Sequence, residues 1–193
     1  MISFHDDPHK LGLLLAEIFR SACIAELEAL KPGNVHIYAD GHGMQVEDFT
    51  RSAEVAAGKI SQPGLCVGER IEQAVDTTWQ TAGCNTNLGI ILLCAPLIHA
   101  AFHYNEGTFR NSLHRVLNAL TREDAEHSFR AILRASPAGL GRSSRHDVHQ
   151  RPTATLLEAM CEAHQRDRVA FQYYSDFADV FEIGIPRYHD AIS

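Results

Sequence analysis

The most constraining feature of the sequence is its most apolar stretch, which runs from Leu88 to Phe102 and contains Pro96 and His99. The stretch is shorter than the roughly 20 apolar residues that a membrane-spanning helix needs. A helix that is apolar on every side has to be surrounded by protein. The stretch therefore predicts a helix buried in the core of a folded domain.

Most of the remaining chain has helical periodicity. Helices are predicted over 11–30, 47–60, 68–81 and 121–135, the last one opened by the capping pair Thr121 and Asp124. A short helix is expected to end near 120. The final helix, continuous or bent, is expected to run from 153 to 181, before Gly184 and Pro186 end it. No stretch reads convincingly as a strand, so the sequence predicts an all-α fold, a single-domain multi-helix bundle over 1–193.

Composition limits the partners of the protein. A net charge of -7 gives no general attraction to nucleic acid or to an anionic membrane, so neither is expected to bind. The five cysteines form no CxxC pair, and the N-terminus lacks the basic region of a signal peptide. These features favour reduced thiols and a cytoplasmic location. Because the apolar helices are numerous for this length, a homo-oligomer is also expected.

Three loops contain residues that apolar periodicity does not explain, and loops of this kind often carry function. The first, Lys31-Pro32-Gly33-Asn34-Val35-His36, has two interpretations. Pro and Gly stop a helix and form a turn. Alternatively, Lys31 provides a point charge for a phosphate, while Asn34 and His36 bind substrate or hold the ligands of a metal.

The second loop, Gly83-Cys84-Asn85-Thr86-Asn87-Leu88-Gly89, directly precedes the most apolar helix. Its Asn and Thr side chains suit simple N-capping. The free N–H groups and the positive dipole end of the helix also suit a phosphate, so both interpretations stay open.

The third loop lies within an arginine-rich stretch, 130–151, which holds a single acid, Asp147. Either it is a solvated basic surface, or its arginines bind phosphate while Gly139 and Gly141 let the backbone approach. Mg²⁺ bound to a triphosphate needs one or two carboxylates, and Glu26 and Asp147 are the best candidates. The twelve histidines include no zinc motif.

Taken in order, these pieces resemble the triphosphoribosyl-dephospho-CoA synthase (CitG-like) family. The resemblance extends from about Glu17 to Pro186 and depends on the order and spacing of motifs that are each weak alone. The motifs are Lys31 to His36, Asp48-Phe49 with Ser52-Ala53, Gly68-Glu69-Arg70-Ile71, Asn85 to Gly89, Gly139-Leu140-Gly141 with Asp147-Val148, and Arg166-Asp167.

The resemblance implies an all-helical, ATP-dependent transferase that moves a triphosphoribosyl group from ATP to the ribose 2′-hydroxyl of 3′-dephospho-CoA and releases adenine. Mg²⁺ is the expected cofactor. Glu26 and Asp147 are expected to be catalytic or to hold the metal. The expected substrate-binding residues are Lys31, Gly33, Asn34, His36, Asn85, Thr86, Asn87, Gly89, Gly139, Gly141, Arg142 and Arg145.

Two motifs depart from the family pattern. Asn34-Val35-His36 stands where the family usually has Leu-Val-Asp, and Asn87-Leu88 stands where it usually has His-Lys. The departures favour two alternatives: a related transfer step in pterin-type (methanopterin) cofactor biosynthesis, or a non-catalytic nucleotide-binding descendant. The chain is also expected to lack helices with which the family usually continues after Pro186.

Overall fold

The structure is a computed structural model that describes residues 7–29, 45–137, 140–143 and 145–193. Within these residues the protein is all α-helical and packs as one body, as the sequence predicts. The helices are α1 (Pro8–Glu28), α2 (Val46–Ile60), α3 (Val67–Ala82), α4 (Leu88–Phe102), α5 (Phe109–Asn118), α6 (Arg122–Ala135), α7 (Leu156–Ala163), α8 (Arg168–Tyr174) and α9 (Ile185–Ile192), with a π-helical segment at Asp179–Gly184.

The apolar helix α4 lies within the bundle and contacts α1, α2, α3, α5 and α8. Helices α1 to α4 alternate in direction, since Gly12 near the start of α1 lies against Ser61 after α2, and His99 near the end of α4 contacts Leu65 before α3. Helix α6 runs parallel to α3 instead, because Gly68 meets Asp124 near their N-termini and Asp76 pairs with Arg134 near their C-termini. The C-termini of α1, α3 and α6 therefore lie at the same end of the bundle as the N-termini of α2 and α4. This end is called the site end below.

Local signals placed most helix boundaries within a few residues. The Thr121–Asp124 capping box forms as predicted: the Asp124 side chain accepts a hydrogen bond from the N–H of Thr121 at 2.8 Å. Pro96 lies inside α4 without ending it. None of the helices that the structure describes is long and apolar enough to cross a membrane.

The prediction of one final helix from 153 to 181 was wrong. The chain instead forms α7, breaks, and restarts as α8 at Asp167, whose side chain accepts a hydrogen bond from the N–H of Ala170 at 2.7 Å. The prediction that Gly184 and Pro186 end helical structure was also wrong, because Pro186 lies in the first turn of α9. Proline is tolerated there, since N–H groups in a first turn have no partner within the helix.

Candidate functional site

The turn between α3 and α4 forms the centre of the site end. A small cleft there is lined by residues of α3, of the turn itself and of the last turn of α6, including Trp79, Cys84, Asn85 and Ala135. The first turn of α2 lies at the same end of the bundle, and the negative charge of its Asp48 adds to the effect of burial in raising the pKa of the Cys84 thiol. Two helix N-termini, each the positive end of a helix dipole, therefore lie at this end of the bundle.

The side chains that precede α4 only partly cap it. Asn85 Oδ1 accepts a hydrogen bond from the N–H of Leu88 at 3.2 Å, so Asn85 performs the capping that the sequence allowed. Asn87 occupies the N-cap position but makes no side-chain cap. Its Oδ1 instead accepts a hydrogen bond from the Thr78 hydroxyl at 3.2 Å. The capping interpretation thus holds for Asn85 and not for Asn87.

Two polar atoms at this turn are buried without a hydrogen-bond partner in the described part of the chain: Thr86 Oγ1 and Asn87 Nδ2. The Asn87 side chain is held by Thr78 through its other amide atom, and only 7% of the residue is exposed. A buried donor without an acceptor is costly, so each such group needs an explanation. An anion at the N-terminus of α4 would supply the missing acceptor.

Gly89, in the first turn of α4, leaves the backbone open. The residue is exposed, and a Cβ built on it would meet nothing within 4 Å. First-turn N–H groups have no partner within the helix. A phosphate could therefore approach the backbone here.

Several predicted site residues lie outside the described residues: Lys31, Gly33, Asn34, His36 and Gly139. The neighbours of the 30–44 segment are described, and both belong to the site end. Ala29 follows the last turn of α1, and Gln45 caps α2.

Glu26 is half-buried on the last turn of α1. It lies near Cys23, whose pKa is raised to about 12 by burial and by the neighbouring Cys94 and Glu26.

The arginine-rich stretch is largely neutralised by carboxylates of neighbouring helices. Four of its arginines form ion pairs, which join Arg130 to Glu72, Arg134 to Asp76, Arg145 to Glu162 and Arg151 to Glu126 at 2.6, 3.5, 3.3 and 3.1 Å. The first two pairs connect α3 with α6. Of the predicted phosphate ligands in this stretch, Arg142 is exposed, Gly141 adopts a positive φ of 62°, and 69% of the Arg145 side chain is exposed.

Asp147 is 6% exposed and is held by its own loop. Its carboxylate accepts hydrogen bonds from the N–H of Ser143 at 3.0 Å, from the N–H of His149 at 2.9 Å and from His149 Nδ1 at 2.6 Å. Ser143 in turn accepts a hydrogen bond from Arg166 at 3.1 Å. The two bonds from His149 and the one from Ser143 lower the pKa of Asp147 to about 2.

This pKa predicts how Asp147 contributes to stability at low pH. Its folded pKa, about 2, lies below the ordinary value of 3.8, so the contribution is complete above about pH 4 and is lost as the pH falls towards 2. We expect Asp147→Asn to lower the free energy of unfolding at pH 6. The gap from the wild type should shrink steadily between pH 4 and pH 2 in urea titrations. A gap that stays constant over that range would contradict this account.

The described residues include no group of three or more His, Cys, Asp or Glu side chains that could hold a metal ion. Glu26 and Asp147 belong to different elements. Glu26 lies in the last turn of α1, whereas Asp147 belongs to a loop that packs on α7 through the Arg145–Glu162 pair. His99 in the last turn of α4 and His103, which caps the helix C-terminus, have ring centroids 4.3 Å apart.

The sequence did not identify Thr78 or Trp79 as residues of the site. By its spacing, Thr78 belongs to the same buried face of α3 as Ile71 and Val75, and its bond to Asn87 forms only once α3 and α4 turn back on each other. Trp79 lines the same cleft. In the sequence, Trp79 is distinguished only by its position in the last helical turn before Gly83.

Comparison with known proteins gives one family. The model of the CitG family, described as ATP:dephospho-CoA triphosphoribosyl transferase, matches residues 13–193. No curated protein and no solved structure matches the chain. The matched region contains all the described helices except the first turn of α1. The chain therefore belongs to the CitG family, whose members transfer a triphosphoribosyl group from ATP to dephospho-CoA.

Proposed function

We propose that this chain carries out the family reaction with the triphosphate of ATP bound at the N-terminus of α4. The observation that carries the proposal is Asn87 Nδ2, which is buried and has no partner among the described residues, beside the open backbone of Gly89. An amide N–H and free backbone N–H groups are donors only, so they select an anion over a cation.

In the reaction, the bond between adenine and C1′ of the ribose breaks, and the 2′-hydroxyl oxygen of the acceptor forms a new bond to C1′. The hydroxyl loses its proton to a base, and the departing adenine gains a proton at the nitrogen that was bonded to C1′. The triphosphate stays attached to the ribose throughout. A fixed anion site therefore keeps C1′ in position while adenine departs and the acceptor hydroxyl approaches. Fixed donors also avoid reorganisation during the reaction.

The residues of the 30–44 segment complete the proposed site. We assign Lys31 to a phosphate, and Gly33, Asn34 and His36 to the substrate, because the two neighbours of the segment lie at the site end. Gly139, Gly141, Arg142 and Arg145 are proposed as further phosphate ligands. The pairing of Arg145 with Glu162 makes Arg142 the stronger candidate of the two arginines.

We propose that Mg²⁺ accompanies ATP. Mg²⁺ is usually held by one or two carboxylates together with substrate phosphates, and not by a complete protein cage. Glu26, a half-buried carboxylate at the site end, suits that arrangement. The metal would neutralise charge on the triphosphate.

Asp147 suits a different role from the one that the sequence suggested. Its oxygens already accept three hydrogen bonds. A carboxylate with a pKa of about 2 is also a poor base near neutral pH. We therefore propose that Asp147 holds its loop in place and that Glu26 binds the metal or takes part in the proton transfer.

The five described cysteines are free, which agrees with the proposed cytoplasmic location.

The test is mass spectrometry of purified protein incubated with ATP, Mg²⁺ and dephospho-CoA. We expect free adenine and a triphosphoribosylated product in equal amounts. Adenine without that product would favour the second candidate, a pterin-type acceptor, which the Asn34 to His36 and Asn87-Leu88 departures support. If ATP binds and neither product forms, the chain is a non-catalytic descendant and the proposal fails.

A further inference from the structure

A large groove lies between the C-terminal helix and the body of the protein, away from the cleft at the α3–α4 turn. Its volume is about 710 Å³, which is in the usual range for small-molecule sites. The wall is mainly apolar and is formed by side chains of α4, α8, the π-helical segment and α9, among them Leu93, Val169, Val180, Ile185 and Tyr188.

The apolar side chains of α9 are strongly exposed along this groove. Ile185 is 42% exposed and Tyr188 is 66% exposed, although both residues face a cavity of their own chain. Covering such side chains by a ligand would contribute the free energy of removing apolar surface from water.

One buried polar group in the groove has no hydrogen-bond partner among the residues that the structure describes. Gln172 is 5% exposed and lines the groove. Its Nε2 donates to Asp179 at 2.6 Å, and Asp179 is fixed further by Arg168 at 2.6 Å. The other amide atom of Gln172, Oε1, is buried without a partner in the described part of the chain. Asp179 therefore sets the orientation of the Gln172 amide. Its Oε1 remains as an acceptor that an N–H group of a ligand could satisfy.

Helix α4 contributes residues both to the groove and to the proposed triphosphate site. Leu93 lies four residues after Gly89, and residues at this spacing share a helix face. The distance along the helix axis is about 6 Å. A molecule that reacts at the N-terminus of α4 could therefore reach the groove along this face of the helix.

We propose that the groove binds the apolar, amide-containing arm of the acceptor, and this inference depends on the proposed function. In dephospho-CoA this arm is the pantetheine chain, attached to an adenosine diphosphate. Its methylene and methyl groups suit the apolar wall, and its amide N–H groups suit Gln172 Oε1. The arm would direct the ribose of the acceptor towards the triphosphate site.

The test compares two ligands that differ only in the arm. Affinities of dephospho-CoA and of ADP are measured calorimetrically for the wild type and for Ile185→Asp, which places a charge in the wall of the groove. We expect the variant to weaken binding of dephospho-CoA about tenfold, because a carboxylate replaces apolar contact. Binding of ADP should change less than about twofold, because ADP lacks the arm. Gln172→Met, which removes the unpartnered acceptor, should have the same selectivity.

The matched control is Ile183→Asp, an equal change at a residue that is 50% exposed and does not line the groove. It should alter neither affinity. Equal losses for both ligands in Ile185→Asp, or no loss for either, would overturn the proposal. So would a wild-type dimer that dissociates in Ile185→Asp on sedimentation, because the groove would then be an interface between copies.

Pantetheine alone separates failure of this inference from failure of the proposed function. If neither dephospho-CoA nor ADP binds to the wild type, the assigned acceptor is wrong. Pantetheine that still binds, and binds more weakly to Ile185→Asp in ligand-observed NMR titrations, would then support the groove as an independent site. Pantetheine that does not bind, or binds both proteins equally, would overturn the inference.

Discussion

Replacing Asn87 by aspartate is expected to weaken ATP binding about 100-fold, which corresponds to roughly 3 kcal/mol. The two side chains have the same shape, and the hydrogen bond from Thr78 to Oδ1 is retained. The change converts the unpartnered donor Nδ2 into a negatively charged oxygen. An anion at the N-terminus of α4 would then lose a hydrogen bond and face a like charge, and both effects oppose binding.

The measurement is the dissociation constant of ATP by calorimetry, together with the rate of adenine release. Asn111→Asp is the control, because it introduces the same charge at an exposed position in the first turn of α5. It should leave both quantities within about twofold of the wild type. Normal ATP affinity in Asn87→Asp, with an unchanged melting temperature, would remove the triphosphate from this helix end.

The parts of the fold that sequence reasoning predicted are those set by local chemistry. The apolar run of α4, the Thr121–Asp124 capping box and the stop at Gly83 each depend on residues within a few positions of one another. The order of the loops then identified the α3–α4 turn as a candidate site. The structure adds the physical detail that separates Asn85, which caps the helix, from Asn87, which does not.

The parts that could not be predicted depend on residues far apart in the chain. Arg130 and Arg134 form a basic cluster in the sequence, yet their partners, Glu72 and Asp76, lie on α3. Because α3 and α6 run parallel, successive turns of the two helices present opposite charges to each other. The local surplus of arginine therefore contributes to helix packing, and much of its positive field is cancelled before it could reach a ligand.

The break in the final helix and the groove beside α9 could not be predicted either. Apolar periodicity continues across 153–181, and only the capping of α8 by Asp167 shows where the helix restarts. A cavity between elements leaves no periodic signal. Gln172 and Leu93 are separated by most of the C-terminal half of the chain, so their shared groove becomes visible only in three dimensions.

The close contact between α3 and α6 predicts a large loss of stability when Gly68 is replaced. Gly68 donates its N–H to Asp124 Oδ1 at 2.8 Å, which requires the two backbones to approach closely. A Cβ at position 68 would lie 2.6 Å from the Cα and 2.8 Å from the backbone oxygen of Asp124. Backbone atoms cannot rotate out of the way as a flexible side chain can, so the helices would have to separate.

We expect Gly68→Ala to lower the free energy of unfolding by about 3 kcal/mol, the upper part of the range for overpacked cores. For a chain of this length the melting temperature should fall by about 10 °C. Gly58→Ala is the matched control, because a Cβ on that exposed residue in α2 meets nothing within 4 Å. It should stabilise the protein by roughly 0.5 to 1 kcal/mol, since alanine is the better helix former. Urea titrations of both variants measure the difference. If Gly68→Ala proved as stable as the wild type, the parallel packing of α3 on α6 could not be as close as the structure has it.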